Sequence, residues 1–473
     1  MTTAHAGAVS ASVPMPPTPT ARATAAPKPP LPTTTPAGTP RAIKRPGVIW
    51  GVHVTQIVLW QVALALVLAS LGRHLAVLIA AAVTAALILL LTAIRIRGRW
   101  VYQLIGLRLS YLSRPRALVT GAQADRRSEF LAFVMPGASA DSVETDEHEV
   151  GVLDHVGGAA AIIELAAESS LVVERAVTLP SPASLLPSHD PDSPPVSLQL
   201  LIQAVPAPTL TAVSVPAASS YYALTNGSVP SQRRAWLALQ LAHSAGYPSD
   251  QIKQAVGNSV RRLVRRLRQE GISARPLDRE EALSTMASLA HLNPSTIETS
   301  AAVAAAATGA TIDIRAVMQR SGAAAQNALT PLAQEHWTVW WSESVAQESF
   351  VLKRWPSLDS PAGQQLISQL TSVPSLGTTV SLAARRVPPP ALERPSSRQS
   401  ERRARNDARE SHVSDDVAVE LTVRIAAPNP QRLASVSSAL LERARKCGAR
   451  LERLDGQQAR GIAATLPLGG FLP

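Results

Sequence analysis

A single cysteine, Cys447, in 473 residues excludes an intramolecular disulfide and any metal centre built on cysteine pairs. Aromatic residues are scarce at 4%, although 46% of the chain is hydrophobic, so any core rests on aliphatic side chains and alanine. That apolar content is too high for a disordered chain, and the length is too great for one small domain. Acidic residues are missing altogether from residues 1–124, which carry 12 Lys or Arg; residues 125–473 hold 33 basic and 34 acidic side chains. The net charge of +11 therefore sits in the N-terminal quarter. A basic globular face for nucleic acid, the usual meaning of a pI near 10.5, is excluded by that location.

Catalytic signatures are missing as well. The chain has no GxxxxGK[ST] phosphate loop, no GxGxxG after a strand, no HExxH helix and no GxSxG elbow. Asp190-Pro191-Asp192 is the one enzymatic candidate: paired carboxylates of this kind can hold a divalent cation against a sugar nucleotide, as in a membrane-tethered glycosyltransferase-like enzyme. The motif stands in a Pro/Ser-rich stretch, where two carboxylates are ordinarily solvated surface. His148, Asp154 and His155 could form an acid/base cluster, but nothing marks a nucleophile beside them. Cys447 has Arg445, Lys446 and Arg450 close by in sequence, which would favour a thiolate, whereas an isolated buried thiol is the commoner case.

What is present is a membrane pattern. Residues 1–47 contain 11 prolines and read as a disordered tail, with no apolar run near the start such as a secretory signal needs. Residues 48–71 and 75–94 are two uncharged apolar stretches separated by Gly72-Arg73-His74, and predict a pair of transmembrane helices. Arg41, Lys44 and Arg45 precede the first; Arg95, Arg97, Arg99 and Arg108 follow the second; the turn offers only Arg73. The positive-inside rule then places both termini in the cytoplasm, with Trp50, Trp100 and Tyr102 at the interfaces. His53 and Gln56 share a face of the first stretch and are candidate helix–helix contacts. Residues 95–116 read as an Arg-rich juxtamembrane helix ended by Arg114-Pro115.

The fold class expected beyond the membrane is α+β: a cytoplasmic mixed domain over 125–385, a disordered linker over 386–416, and a C-terminal unit of the same domain over 417–473. Strands are expected at Val150–Leu165, Val196–Val205, Trp337–Trp341, Ser349–Lys353 and Thr378–Ala384, and a short helix or loop at Pro180–Pro195. Ala235–Leu241 is a strand or a helix start. Asp250 is expected to cap a helix running to Gly271, whose charged face carries Arg261, Arg262, Arg265 and Arg266 as candidate partner contacts. No aromatic residue lies between Tyr247 and Trp337, so that face lacks the stacking groups of a nucleic-acid site. Asp278 and Glu281 spell a capping box. The last unit reads strand, helix at Pro430–Cys447, strand, an Asp455-Gly456 turn, then a strand at GIAATLPL. Residues 337–384 share that grammar, which leaves a ferredoxin-like duplication open.

Arg97-Gly98-Arg99-Trp100 after the second apolar stretch, VSLQLLIQAVPAP (Val196–Pro208), RRAWLALQL (Arg233–Leu241) and RLERLDGQQARGIAATLPLGG (Arg450–Gly470) together resemble EccE, a membrane subunit of type VII (ESX) secretion systems of actinobacteria. The resemblance runs over most of residues 41–473 and is weakest in the 386–416 linker. It implies a non-enzymatic protein with no cofactor, set in the inner membrane with EccB-, EccC- and EccD-like subunits to support protein export. Neither nucleic acid nor a small-molecule substrate is implied, and the ATPase of such complexes is EccC. Asp455, Gly456, Gly469 and Gly470 match the family's C-terminal motif; their physical reading is backbone geometry, since glycine supplies positive φ in tight turns.

Overall fold

The computed structural model describes residues 41–42, 48–49, 52–72, 74–96, 99–119, 125–145, 149–166, 179–187, 193–206, 231–244, 246–292, 331–358, 360–387 and 417–471. The expected tail, apart from 41–42, and the expected linker beyond 387 lie outside these residues. The chain is mixed α/β, built on a large, mostly antiparallel sheet.

The N-terminal part opens with short strands β1 (Arg41–Ala42), β2 (Val48–Ile49) and β3 (Val52–His53), then helices α1 (Val54–Ser70) and α2 (Leu75–Ala93). Strands β4 (Arg95–Ile96) and β5 (Arg99–Trp100) pair with each other before α3 (Val101–Ser113) and β6 (Ala117–Leu118). The first apolar stretch is thus not helical from residue 48. Its 17-residue helix spans about 25 Å, short of a hydrocarbon core of roughly 30 Å. α2 is long and apolar enough to cross a membrane, with a mean hydropathy of 2.8 over Leu75–Thr92, and Leu75, Ile79, Val83, Leu87 and Leu90 remain exposed along it. The juxtamembrane helix likewise begins at Val101 rather than Arg95, and Arg114 ends it as expected.

The first half of the sheet domain follows: α4 (Arg126–Val134), β7 (Ser139–Glu144), β8 (Glu149–His155), β9 (Gly158–Ala166), α5 (Pro182–Leu185), β10 (Val196–Pro206), β11 (Ser231–Leu241), α6 (Ser249–Gln269), β12 (Ser273–Pro276) and α7 (Arg279–Leu289). The second half comprises β13 (Ala333–Glu335), β14 (Trp340–Ser342), β15 (Val345–Arg354), α8 (Pro361–Thr371), β16 (Gly377–Arg386), β17 (Val417–Ala427), α9 (Pro430–Lys446), β18 (Arg450–Arg453) and α10 (Gln458–Ala464).

The two halves have one topology. In the first, β12 pairs with β9, β9 with β11 and β11 with β10. In the second, β18 pairs with β15, β15 with β17 and β17 with β16. Each is a strand–helix–strand–strand–helix–strand unit with its four strands in the spatial order fourth, first, third, second. Each is preceded by a two-strand extension, β7–β8 or β13–β14, on the free part of its first strand. β10 and β16 pair antiparallel and fuse the halves into one sheet.

Sequence and hydrogen bonding repeat with the topology. Gly271 and Gly448 end α6 and α9 at φ 76° and 72°, a conformation glycine adopts without a Cβ penalty. Ile272 N–H returns to Leu267 O, and Ala449 N–H to Ala444 O. Five residues beyond each of these, Leu277-Asp278 and Leu454-Asp455 leave the fourth strand, with Leu277 N–H donating to Ile162 O and Leu454 N–H to Ser349 O. Val256, Val260, Leu263 and Leu267 of α6 are buried at i, i+4, i+7 and i+11; α9 buries Leu433, Ser437, Leu440 and Ala444 at the same spacing. α5, α6, α8 and α9 cover one face of the sheet; Leu382 and Trp355 touch the apolar clusters of both halves there. α4, α7 and α10 cover the other, around Phe130, Leu153, Ile162, Trp340 and Leu466.

Several expectations are corrected. Val150–Leu165 is two strands, because Val156-Gly157 turns the chain back and Gly158 at φ 138° packs against the Leu241 backbone. Trp337–Trp341 is not one strand: β13 and β14 flank a turn. Asp250 lies in the first turn of α6 but does not cap it; Pro248 is the N-cap residue. GIAATLPL is not a strand but contains α10, whose Gly461 stands so close to Ser349 that a Cβ would lie 2.3 Å from the serine Cβ. An apolar run of that length carries no decisive period, and the unit to which it belongs is already closed by β18. The repeating grammar is also set differently: 337–384 and 417–467 are not the two copies. The Asp278 capping box is present, with Glu281 N–H donating to Asp278 Oδ1 at 2.8 Å.

Leu263→Ala and Leu440→Ala remove equivalent core contacts. Each is expected to cost about 2–5 kcal/mol in denaturation of the full chain in mild detergent, with the larger loss at fully buried Leu440.

Candidate functional site

The arrangement most relevant to function is the joint between the apolar helices and the sheet. α3 follows α2 after the β4–β5 turn and presents two faces. Ile105, Leu109 and Leu112, at i, i+4 and i+7, are exposed. Tyr111 and Arg108 turn instead toward Trp337: the Tyr111 and Trp337 rings meet edge to face at 5.2 Å, and the Arg108 guanidinium lies 5.3 Å over Trp337. Arg116 lies over the Tyr111 ring at 5.2 Å.

At the end of α3, Arg114 Nη2 donates to Glu335 Oε1 at 2.6 Å and to Gly456 O at 3.0 Å. The Glu335 side chain is 1% exposed, and the same Oε1 accepts the Ala459 N–H at the start of α10. The backbone continues the joint: Glu335 N–H donates to Arg116 O, and Leu332 N–H to Leu118 O, adding β6 to β13. Gly456, at φ 70°, donates its N–H to Trp337 O, and a Cβ there would meet the Trp337 ring at 2.7 Å. Burial pushes the Glu335 carboxyl above the ordinary glutamate range, while the Ala459 N–H and Arg114 pull against it. These contacts join α3 to both β13 and α10.

A second polar cluster centres on Asp154 of β8. Its carboxylate accepts from Ser249 Oγ at 3.0 Å, lies 3.0 Å from His243 Nε2, and stands 3.5 Å from Lys253 Nζ, which pairs with Asp141 at 2.6 Å. Burial raises the Asp154 pKa, but the bonds from Ser249 and His243 and the Lys253 charge outweigh it, so the group stays below its ordinary value. The serine and histidine both bind the carboxylate, an arrangement that holds the start of α6 to β8 without activating the serine as a nucleophile. His155 points into its own turn, where Nδ1 accepts the Gly157 N–H. Among the described residues no group of three or more His, Cys, Asp or Glu could hold a metal ion.

The other candidates are dispersed. Arg41 lies in β1, Arg95 in β4, and Arg99 and Trp100 in β5; Lys44, Arg45, Arg97, His148, Asp190 and Asp192 are outside the described residues. His53 ends β3. Gln56 is buried and joins α1 to α2 by donating to Thr92 O at 2.8 Å, with Trp60 Nε1 donating to Thr92 Oγ1 at 2.9 Å. On α6, Arg262 and Arg265 are exposed, Arg266 donates to Ser184 O, and Arg261 is half-buried. Asp455 pairs with Arg453 at 2.5 Å. Gly469 and Gly470, at φ 103° and 77°, press on Gln240 and Gln199. Cys447 is half-buried at the C-cap of α9. Sequence reasoning missed Glu335, Trp337 and Gln199. Glu335 had one signal, an acid two residues ahead of three tryptophans in an apolar segment; Gln199 had another, a glutamine alternating with leucines in a strand.

No family model matches the chain, and no curated protein matches it.

Arg114→Met leaves the Glu335 carboxylate buried without its cation, an expected loss of about 2–3 kcal/mol near neutral pH. Burial raises the carboxyl pKa in the fold and loss of the Arg114 cation raises it further, so the folded variant takes up the Glu335 proton more readily than the unfolded chain does. The deficit therefore shrinks as pH falls and Glu335 takes up a proton, which denaturation at about pH 5 and about pH 7.5 will read directly.

Proposed function

We propose that the chain is a non-catalytic structural subunit of a type VII (ESX) secretion complex of the inner membrane, assembled with EccB-, EccC- and EccD-like subunits. α1 and α2 form a two-helix hairpin in the bilayer, and both termini with the sheet domain face the cytoplasm. The observation that carries this reading is that both flanks of the apolar pair are fastened to one sheet. β1 lies parallel to β17 on the N-terminal side, and α3 is clamped through Arg114 and Glu335 on the C-terminal side. Ends tied to one domain lie on one side of a membrane, the side that the basic flanks select.

The sheet domain is a ferredoxin-like duplication, supported by the shared strand order of its halves. Its place is that of a platform. The exposed stripe Ile105, Leu109 and Leu112 meets the bilayer surface beside α2, while Arg262 and Arg265 offer a basic face to an acidic protein surface. The match of the C-terminal motif to EccE rests on Asp455, Gly456, Gly469 and Gly470, each of which has a geometric task in closing the joint or the chain end.

Solubilised in mild detergent from its native membrane, the tagged full chain is expected to co-purify with EccB-, EccC- and EccD-like chains in one large assembly. Protease added to intact spheroplasts should leave residues 417–471 uncut, and added to inverted vesicles should cut them. Recovery only as a free monomer, or cleavage from the outer side, would contradict the assignment.

A further inference from the structure

β7 closes one side of the large sheet, and no described strand pairs with its outer edge. The direction of its backbone groups follows from its neighbour. Gly151 of β8 donates its N–H to Leu277 O, away from β7, so by the alternation of an antiparallel ladder the groups of Val150, Val152 and Asp154 face β7. Those residues stand opposite Val143, Asp141 and Ser139. Ala140, Ser142 and Glu144 therefore project their N–H and C=O groups outward, and the Ala140 carbonyl accepts there from Arg279 Nε at 2.8 Å. A six-residue edge without proline, lysine or bulge is open to a further strand, whereas β6 on the opposite side is only two residues long.

α6 runs along this edge, over the face that carries Asp141 and Val143. Lys253 pairs with Asp141 at 2.6 Å, and Gly257 lets the helix approach β7, where a Cβ would stand 3.1 Å from the Thr145 methyl and 3.5 Å from Val143. Asp250, Gln254, Asn258 and Arg261, at i, i+4, i+8 and i+11, form a polar stripe on the outer side of the helix. With β7 they line an open groove of about 950 Å³. The stripe runs acid, amide, amide, base, and reversed it complements itself: in an antiparallel pair Asp250 meets Arg261 and Gln254 meets Asn258. Its midpoint lies near residue 256. Because Lys253 stands over Asp141 and Gly257 over Val143, that midpoint is level with Ser142, the middle of the outward-facing backbone set. One two-fold axis therefore pairs the stripe with itself and the strand with itself, as an isologous interface requires.

We propose that β7 is a homotypic docking edge: two copies of this chain pair β7 with β7, antiparallel about an axis through Ser142, so that one sheet continues through both and the α6 stripes meet over the join. Main-chain hydrogen bonds from Ala140, Ser142 and Glu144 hold the strands, and the two Asp250–Arg261 contacts set their register. On the other face of the sheet the same axis sets Glu144 opposite Ala140 of the second copy, beside the Arg279 guanidinium bound to that carbonyl.

The test measures the mass of the full chain, purified in mild detergent, by light scattering over a dilution series. Wild type is expected as a dimer that dissociates on dilution. Ser142→Pro removes an outward N–H that β8 does not use, and is expected to stay monomeric where wild type pairs, with unchanged circular dichroism. Asp250→Arg and Arg261→Asp each place like charges across the axis and are expected to weaken pairing about tenfold. An equimolar mixture of these two variants is expected to form mixed dimers at wild-type strength, because each substituted residue then meets its opposite charge. Should Ser142→Pro fail to fold, the mixture decides. Wild type monomeric at every concentration, a dimer that Ser142→Pro leaves intact, or a mixture that pairs no more tightly than its separate components would overturn the proposal.

Discussion

Glu335 is where the rest of the structure converges. A carboxylate this deep is unfavourable unless it is paired and hydrogen-bonded, and here its Oε1 accepts from both Arg114 of the helical segment and the Ala459 N–H of α10. Three parts of the chain far apart in sequence are therefore held by one side chain: the exit from the apolar helices, the first strand of the second half, and the C-terminal motif. The neighbouring contacts depend on the same meeting. Trp337 takes the Tyr111 edge and the Arg108 cation on one side and accepts only a glycine at 456 on another.

The sheet behind the joint is one design used twice. Antiparallel pairing of β10 with β16 puts the two units back to back, so that neither presents its second strand as an open edge. The halves then diverge where they meet other parts. The first helix of the unit is a full α8 in the second half and the short α5 in the first. The chain end closes over the join: Gln199 Nε2 donates to Ala464 O and Leu466 O, and its Oε1 accepts the Gly469 N–H. A glutamine at the centre of the sheet thus satisfies backbone groups of a segment that has no strand partner there.

The elements most legible in the sequence were those with a strong period and a defined stop. α6 and α9 show aliphatic residues at helical spacing and end at glycines, and their bounds followed closely; β16 and β17 followed from alternation. The capping box at Asp278 is local chemistry and could be read directly. α10 could not, because GIAATL is apolar all round and its helix is decided by burial against Ser349 and by Gln458, whose Oε1 accepts the Ser349 N–H. The duplication was visible only as a grammar. Its true register depends on long-range pairing, and on the kinship of Gly271–Ala282 with Gly448–Ala459, which lie 177 positions apart. Of the site, the basic flanks and glycines were legible because charge and φ are properties of single residues. Arg114–Glu335 joins positions 221 apart and leaves only the trace of a lone acid in an apolar run.

The central claim, that the helical segment and the sheet are coupled through this buried pair, is tested most directly by a double-mutant cycle. Arg114→Met, Glu335→Gln and the double variant are compared with wild type in denaturation of the full chain in detergent at neutral pH. The account predicts a coupling of about 2 kcal/mol or more, the double variant being far more stable than the summed single losses imply. Additive losses, with coupling near zero, would contradict it.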